Sequence, residues 1–280
     1  YVFCDGVDLK GLLRSGRRHL TIAETGFGTG LNFLATMKEW QATGGKAPLT
    51  YVSVEGFPMD LASIQRAWQP FRSELAEEMD ALARAYPPVT PGFHLRQLFG
   101  GRVKLLLLFG KAEEVLPLAD FKAQAWYLDG FAPARNQDLW NADLFAQIGR
   151  LSDAGAKIAT FSAARVVKEG CDQIKAAWTK RPGFAGKREC LVAQLPGQAE
   201  PEPELGPIQI VGAGIAGASL VSALHQAGQK DIQVIDAGAS PGAGASGNPI
   251  ALVEPRLSHV YAPDIELLRL AYLQAIYRYD

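Results

Sequence analysis

Acids at the ends of apolar runs, and glycines close enough together to bare the backbone between them, are the residues with the means to bind and react. In "AETGFGTG", residues 23–30, Glu24 precedes Gly26, Phe27, Gly28 and Gly30, with "HLTI" before and "LNFLATMKEW" after. A glycine-rich turn from strand to helix lets a ligand lie against backbone N–H groups and the helix N-terminus. Glu55 closes the next apolar run, "LTYVSVE", where a carboxylate can accept both hydroxyls of a ribose; the two features together suit an adenosyl ligand. Pyrophosphate is repelled by acidic neighbours, whereas Glu24 tolerates a cationic amino-acid or sulfonium end, so the loop favours S-adenosylmethionine over a dinucleotide. The plain alternative is a tight turn with no ligand.

Asp129 opens "DGFAPARNQDLW" at the carboxyl end of another apolar run, the edge where open α/β sheets keep their chemistry. Gly130, Phe131 and Pro133 fix the local backbone and suit the wall of a pocket over a methyl donor. A carboxylate in that wall can hold an amine, orient its lone pair and take its proton. Methyl transfer from a sulfonium depends chiefly on in-line placement, so positioning outweighs strong base chemistry. The alternative role for Asp129 is a helix cap or turn former.

Residues 165–188 carry Arg165, Lys168, Lys175, Lys180, Arg181, Lys187 and Arg188 against only Glu169 and Asp172. Four of these cations flank "RPGFAG", with Phe184 at its tip. Cations can hold phosphates while an aromatic ring stacks on an unpaired base, so this rim fits RNA; a solvated helix face is the bland reading.

A second glycine loop lies in "IQIVGAGIAGASLVSALHQAGQKDIQVIDAG", with Gly212, Gly214 and Gly217 between a strand and a helix and Asp236 at the end of the next strand. That context is the dinucleotide fingerprint: Gly212 permits the turn, Gly214 admits pyrophosphate, Gly217 lets the helix pack closely and Asp236 accepts from a ribose. The fingerprint does not separate FAD from NAD. The following "GASPGAGASGNPIALVEP" resembles the loop of flavin amine oxidases of the D-amino-acid and glycine oxidase kind, which puts FAD first.

The elements that must hold these residues read as alternating strand and helix. After an edge segment near "YVF", strands are expected at 20–24, 49–56, 102–110, 123–130 and 156–162, with helices at 31–42, 60–85 and about 165–177, and a closing hairpin before residue 196. Apolar runs of this length separated by helices imply parallel strands covered on both faces. The stretch 197–206 is proline-rich and acidic, an extended linker between a first domain, 1–196, and a second portion, 207–280. The chain starts without methionine and stops in a helical pattern, so a piece of a longer protein is expected, with apolar surface and an open sheet edge in its second portion.

Of 280 residues 48% are hydrophobic and 20% charged, the composition of a chain with a real core, and the net charge of -1 hides the local basic rim. Cys4, Cys171 and Cys190 form no close pair and no metal-ligand spacing, which argues against a disulfide framework or zinc site and for a reducing cytoplasm. No metal is expected. The run "KLLLLF" is too short to span a bilayer, so no membrane is expected.

Five motifs in order, "ETGFGTGLNFL", "DGFAPARNQDLW", "ATFSAARVV", "KRPGFAGKREC" and "GASGNPIALVEPRLS", resemble those of the bifunctional tRNA 5-methylaminomethyl-2-thiouridine biosynthesis proteins, and they span most of the chain. The resemblance implies an α/β fold: a Rossmann-like S-adenosylmethionine-dependent methyltransferase sheet followed by the start of an FAD-binding Rossmann domain. It implies work on uridine 34 of the tRNA anticodon. The FAD half removes the carboxymethyl portion of 5-carboxymethylaminomethyluridine, and the other half methylates the resulting 5-aminomethyl(-2-thio)uridine. By the same resemblance Gly26, Gly28 and Gly30 line the donor with Glu55 at its ribose, and Asp129 faces the aminomethyl nitrogen. Phe131 and Pro133 shape the entrance, and Phe184, Lys187 and Arg188 lie near tRNA. Gly212, Gly214, Gly217 and Asp236 hold the adenosine side of FAD, with Ser246, Gly247 and Asn248 toward the flavin. Lys111 stands where the family carries an acid, which passes the adenine contact to Glu113 or to backbone. Only about seventy residues represent the oxidoreductase, so methyl transfer is the expected activity and demodification is not. Two other classes compete: an FAD-dependent amine oxidoreductase with a structural front domain, and a non-catalytic nucleotide-binding RNA adaptor.

Overall fold

Eight strands pair into one sheet in the computed structural model, which describes residues 2–130, 140–183, 188–198, 206–248, 254 and 263–279. In chain order the elements are α1 (Val2–Gly6), α2 (Leu9–Leu13), β1 (Leu20–Thr25), α3 (Leu31–Ala42), β2 (Leu49–Glu55), α4 (Leu61–Trp68), α5 (Arg72–Ala85) and β3 (Gly92–Leu98). Then come β4 (Val103–Phe109), α6 (Ala112–Val115), β5 (Ala123–Leu128), α7 (Ala142–Arg150), β6 (Ser152–Thr160), α8 (Arg165–Gln173), β7 (Ala177–Pro182) and β8 (Glu189–Gln194). The strand order is β3-β4-β2-β1-β5-β6-β8-β7. β4, β2, β1, β5 and β6 run parallel, while β3 and the β7–β8 hairpin join antiparallel at the two edges. The chain builds outward from β1 to β2 and β4 on one side and to β5 and β6 on the other. That reversal opens a crevice at the carboxyl ends of β1 and β5.

Burial explains the choice of elements. β1 is buried at every position, as a central strand covered on both faces must be. On one face Phe33, Leu34 and Met37 of α3 join Ile64 and Trp68 of α4 and Met79 and Leu82 of α5 in a core over β1, β2 and β4. On the other, Leu144, Phe145 and Ile148 of α7 and Val167 and Cys171 of α8 pack on Trp126 and Ile158. Asp60 caps α4 by accepting from the Ser63 N–H at 2.8 Å, and Asn141 caps α7 by accepting from the Leu144 N–H at 2.8 Å.

Several sequence expectations are corrected. The segment near "YVF" is helical: α1 lies on the sheet, with Phe3 against Tyr127 and Phe161 and Gly6 facing Ala159. The third expected helix stops at Gln173, because Lys175 adopts φ 58° and turns the chain into β7. β6 starts four residues earlier than expected, at Ser152, with an irregular register against β5. The β7–β8 hairpin forms as expected. Cys4, Cys171 and Cys190 are free thiols. Among the described residues no helix is long and apolar enough to cross a membrane, and no cluster of acidic, histidine or cysteine side chains could hold a metal.

The chain divides into two compact units, Tyr1–Pro201 and Glu202–Asp280. In the second, β9 (Ile208–Val211) and β10 (Ile232–Ile235) pair in parallel around α9 (Ile215–Gln226), followed by α10 (Pro263–Tyr279). Ile210 is its one buried apolar side chain among the described residues, and Val211, Ile215, Leu220 and Leu267 are exposed. The first unit is packed tightly enough to test. A Cβ at Gly170 of α8 would overlap the buried Phe145 ring of α7, so Gly170→Ala is expected to cost about 1–3 kcal/mol through overpacking. A urea midpoint equal to that of the unaltered chain contradicts this packing.

Candidate functional site

The crevice at the strand ends is a cavity of about 630 Å³. Its walls come from the β1 turn (Gly26 to Thr29), the start of α3 (Asn32), the end of β2 (Glu55 to Phe57), the α6 turn (Lys111 to Glu113) and the end of β5 (Asp129, Gly130). This volume lies in the usual range for small-ligand pockets, ~300–1,000 Å³.

Gly26, Gly28 and Gly30 have φ of 83°, 53° and 75°, a region that L side chains avoid. Each serves a different need. A Cβ on Gly26 would come within 3.0 Å of Gly130 Cα, so this glycine lets the two turns touch. A Cβ on Gly30 would meet the Phe27 ring at 2.8 Å. Gly28 has nothing within 4 Å of that position, which leaves open space for a ligand against the backbone. Phe27 contributes to the cavity wall while its ring is stacked on Tyr86, with centroids 6.2 Å apart.

Glu55 spans the cavity floor. Its Oε2 accepts from the Gly28 N–H and its Oε1 from the Phe57 N–H, each at 2.8 Å, so the acid also ties the glycine loop to the end of β2. Lys111 and Glu113 are both exposed on the rim.

Asp129 lines the opposite wall. The Gly130 N–H donates to its Oδ1 and the Asn32 Nδ2 to its Oδ2, each at 2.8 Å, and the Thr25 hydroxyl donates to its backbone carbonyl at 2.8 Å. Asn32 was not singled out from the sequence, yet its amide also donates to Glu24 Oε1 at 2.8 Å.

Glu24 is placed differently from the expectation of a ligand contact. It is 1% exposed and absent from the cavity wall; Asn32 stands between it and the open space. Its Oε2 accepts from the Ser53 hydroxyl at 2.7 Å. Burial, reinforced by the neighbouring Asp129 charge and opposed by the Asn32 and Ser53 hydrogen bonds, pushes its carboxyl up to about 8.

Register places the hairpin end of the basic segment on the cavity's edge of the sheet, while Lys175 lies toward the opposite edge, where the chain enters β7. Thr25 pairs with Leu128, Leu128 with Thr160 and Thr160 with Leu191, so the Pro182–Glu189 end of the hairpin extends past the carboxyl ends of β1 and β5. Arg188 is exposed there, and the hairpin closes with the Gly183 N–H donating to its carbonyl at 3.0 Å. Part of the positive charge is already paired, Lys180 with Glu189 at 2.6 Å and Arg165 with Glu169 at 3.2 Å. Phe131, Pro133, Phe184 and Lys187 lie outside the described residues.

In the second unit, Gly212 turns with φ 107°, and a side chain at Gly217 would collide with the Gly212 carbonyl. Asp236 accepts from the Ala213 N–H at 2.7 Å and the Gly238 N–H at 2.6 Å. The Ser246 hydroxyl accepts from the Ile215 N–H at 2.9 Å, at the α9 N-terminus beside Gly214. Gly247 and Asn248 follow in the turn that returns over the fingerprint, where the Gly242 N–H donates to the Ala213 carbonyl at 3.0 Å.

Residues 73–196 match the family described as S-adenosyl-L-methionine-dependent methyltransferase, and residues 210–276 the NAD(P)-binding Rossmann-like domain. The tRNA 5-methylaminomethyl-2-thiouridine biosynthesis bifunctional protein MnmC of Magnetococcus marinus is 42% identical over 290 residues, covering 99% of this chain and 43% of that protein. The protein of the same name from Aromatoleum aromaticum is 41% identical over 285 residues, with 99% and 43% covered. The chain is homologous to these MnmC proteins. It spans about 43% of the length of the curated relatives it matches. The solved structure of MNMC2 from Aquifex aeolicus shares the fold, with a TM-score of 0.55 at 19% identity over 99% of this chain and 74% of that one. The chain is thus a Rossmann-like sheet that matches S-adenosyl-L-methionine-dependent methyltransferases over residues 73–196, followed by a second Rossmann-like unit.

Buried Glu24 makes a pH signature. Its folded pKa of about 8 lies above the ordinary 4.5, so the folded state keeps the proton longer. The contribution is whole below pH 4.5 and is lost as pH rises toward 8, after which it levels off. Glu24→Gln is expected to remove a fall in stability on the order of 3 kcal/mol between pH 5 and pH 8. Urea unfolding of both proteins at the two pH values checks it; parallel pH dependences contradict it.

Proposed function

We propose that the first unit transfers a methyl group from S-adenosylmethionine to the amine of 5-aminomethyl(-2-thio)uridine at position 34 of tRNA, giving 5-methylaminomethyl(-2-thio)uridine. The observation that carries this reading is the contact of Gly26 with Gly130, which brings the Asp129 carboxylate to the wall of the cavity that Gly28 leaves open. The residues present suit the donor: open space at Gly28 for its backbone-facing side, and Glu55 on the floor for ribose hydroxyls. S-adenosylmethionine supplies, when bound, an electrophilic methyl group on a sulfonium.

The chain's residues do the rest by placement. Asp129, its carboxyl plane set by Gly130 and Asn32, holds the amine and turns its lone pair toward the methyl carbon. With the donor bound, the amine nitrogen would take the methyl carbon as the sulfur–carbon bond left its pair on sulfur. The new ammonium gives a proton to Asp129 or to water. Arg188 and the hairpin end supply cations for the tRNA backbone on that edge, and the reaction is assigned to the cytoplasm with its tRNA.

FAD is the proposed ligand of the second unit, on the strength of "GASGNPIALVEP" after the fingerprint. Gly212, Gly214, Gly217 and Asp236 would hold its adenosine side, and the Ser246 hydroxyl takes the helix N–H that a phosphate oxygen would use. Removal of the carboxymethyl group belongs to the whole bifunctional proteins in this reading.

The test is incubation with labelled S-adenosylmethionine and tRNA carrying 5-aminomethyluridine, followed by nucleoside mass spectrometry. Asp129→Ala is expected to lower turnover about 100-fold or more while donor affinity stays within about threefold. Unchanged turnover in the variant removes the role of Asp129, and no methylated nucleoside from the unaltered chain removes the proposed activity.

A further inference from the structure

Asn32, in the first turn of α3, joins two acids that the sequence keeps far apart. A primary amide carries two N–H bonds on one nitrogen, and those of Asn32 go to two acids from different strands: Oε1 of Glu24 on β1 and Oδ2 of Asp129 after β5. The orientation of the amide follows from these two donations, both of which the flipped form would give up. Asn32 and the Gly130 N–H hold one Asp129 oxygen each, so together they set the carboxyl plane. Asn32 lines the cavity and Glu24 does not, so the amide links Glu24 to the cavity wall.

The charges are arranged to match. Glu24 is packed beneath Asn32 with the Ser53 hydroxyl on its other oxygen, and the groups facing it are Asp129, Tyr51 and Tyr127. Burial keeps the Glu24 carboxyl protonated up to about pH 8, so it offers the Asn32 amide a neutral acceptor.

We propose that Asn32 is a positioning residue for methyl transfer, turning the Asp129 carboxylate toward the incoming amine, and that Glu24 fixes Asn32 from below. This rests on the reading of Asp129 as the group that holds the amine. The role predicts an effect on turnover and not on donor affinity, because the amide's contacts are to acids and not to the glycine loop.

The experiment measures kcat, KM for S-adenosylmethionine and the pH profile of the full chain with tRNA bearing 5-aminomethyluridine. Asn32→Ala is expected to lower kcat about tenfold or more with donor KM and thermal midpoint nearly unchanged; kcat within about twofold of the unaltered chain overturns the proposal. Asn32→Asp keeps the shape but sets a third carboxyl against the other two, so the acid limb of kcat is expected to move up by about one pH unit. An unmoved limb overturns the proposal even if the alanine variant fails to fold. Glu24→Gln keeps a neutral acceptor under the amide and is expected to be at least about fivefold more active than Glu24→Ala; equal activities overturn the part given to Glu24. Asp129→Asn separates the two readings. Full activity there removes Asp129 and the proposal with it, whereas an inactive Asp129→Asn beside a fully active Asn32→Ala removes Asn32 alone.

Discussion

Two backbone turns touch without a side chain between them, and the rest of the site follows from that contact. Gly26, at the end of β1, faces Gly130, at the end of β5, so closely that a methyl group on Gly26 would come within 3.0 Å of the Gly130 Cα. The Thr25 hydroxyl secures the approach by donating to the Asp129 carbonyl. Because β1 and β5 flank the point where the sheet reverses its order of construction, the touching turns form the base of a crevice that helices cannot cover. Asp129 is held at one wall and the bare backbone of Gly28 at another. A ligand in that space meets both.

Acids in this crevice do unequal work because their surroundings differ. Glu55, half-buried, spends a lone pair of each oxygen on a loop N–H and thereby makes the glycine loop and the β2 end one unit. Glu24, fully buried, has its carboxyl pushed up to about 8 by burial and accepts from the Asn32 amide. Asp129, at the wall, is the one of the three whose carboxyl is oriented by both Asn32 and the Gly130 N–H. At the same edge of the sheet the hairpin presents Arg188, a cation on the side where the cavity opens.

Much of this was legible in the sequence, and the misses have physical causes. The parallel strands showed as continuous apolar runs because both of their faces are covered, and the glycine spacing marked the loop. β3 did not show because the positions it buries are His94 and Arg96 as well as Leu98, which breaks the apolar alternation that reveals a strand. α1 is five residues long, too short for a helical period to emerge. Glu24 was legible as an acid beside the loop, but β1 is covered on both faces, so its side chain is buried against Asn32 and Ser53 and does not reach the cavity. Asn32 was hidden because its partners are 8 and 97 residues away, and one polar residue in "LNFLA" reads as an ordinary first-turn residue; its place among apolar neighbours was the one available signal.

A structure of the chain crystallised with S-adenosylmethionine tests the central claim most directly. The account predicts the donor in the first unit's cavity, its ribose at Glu55 and its transferable methyl facing Asp129 at roughly 4–6 Å, room enough for an amine between them. A donor seated on the second unit's glycine loop, or a methyl group turned toward Lys111 and away from Asp129, contradicts it.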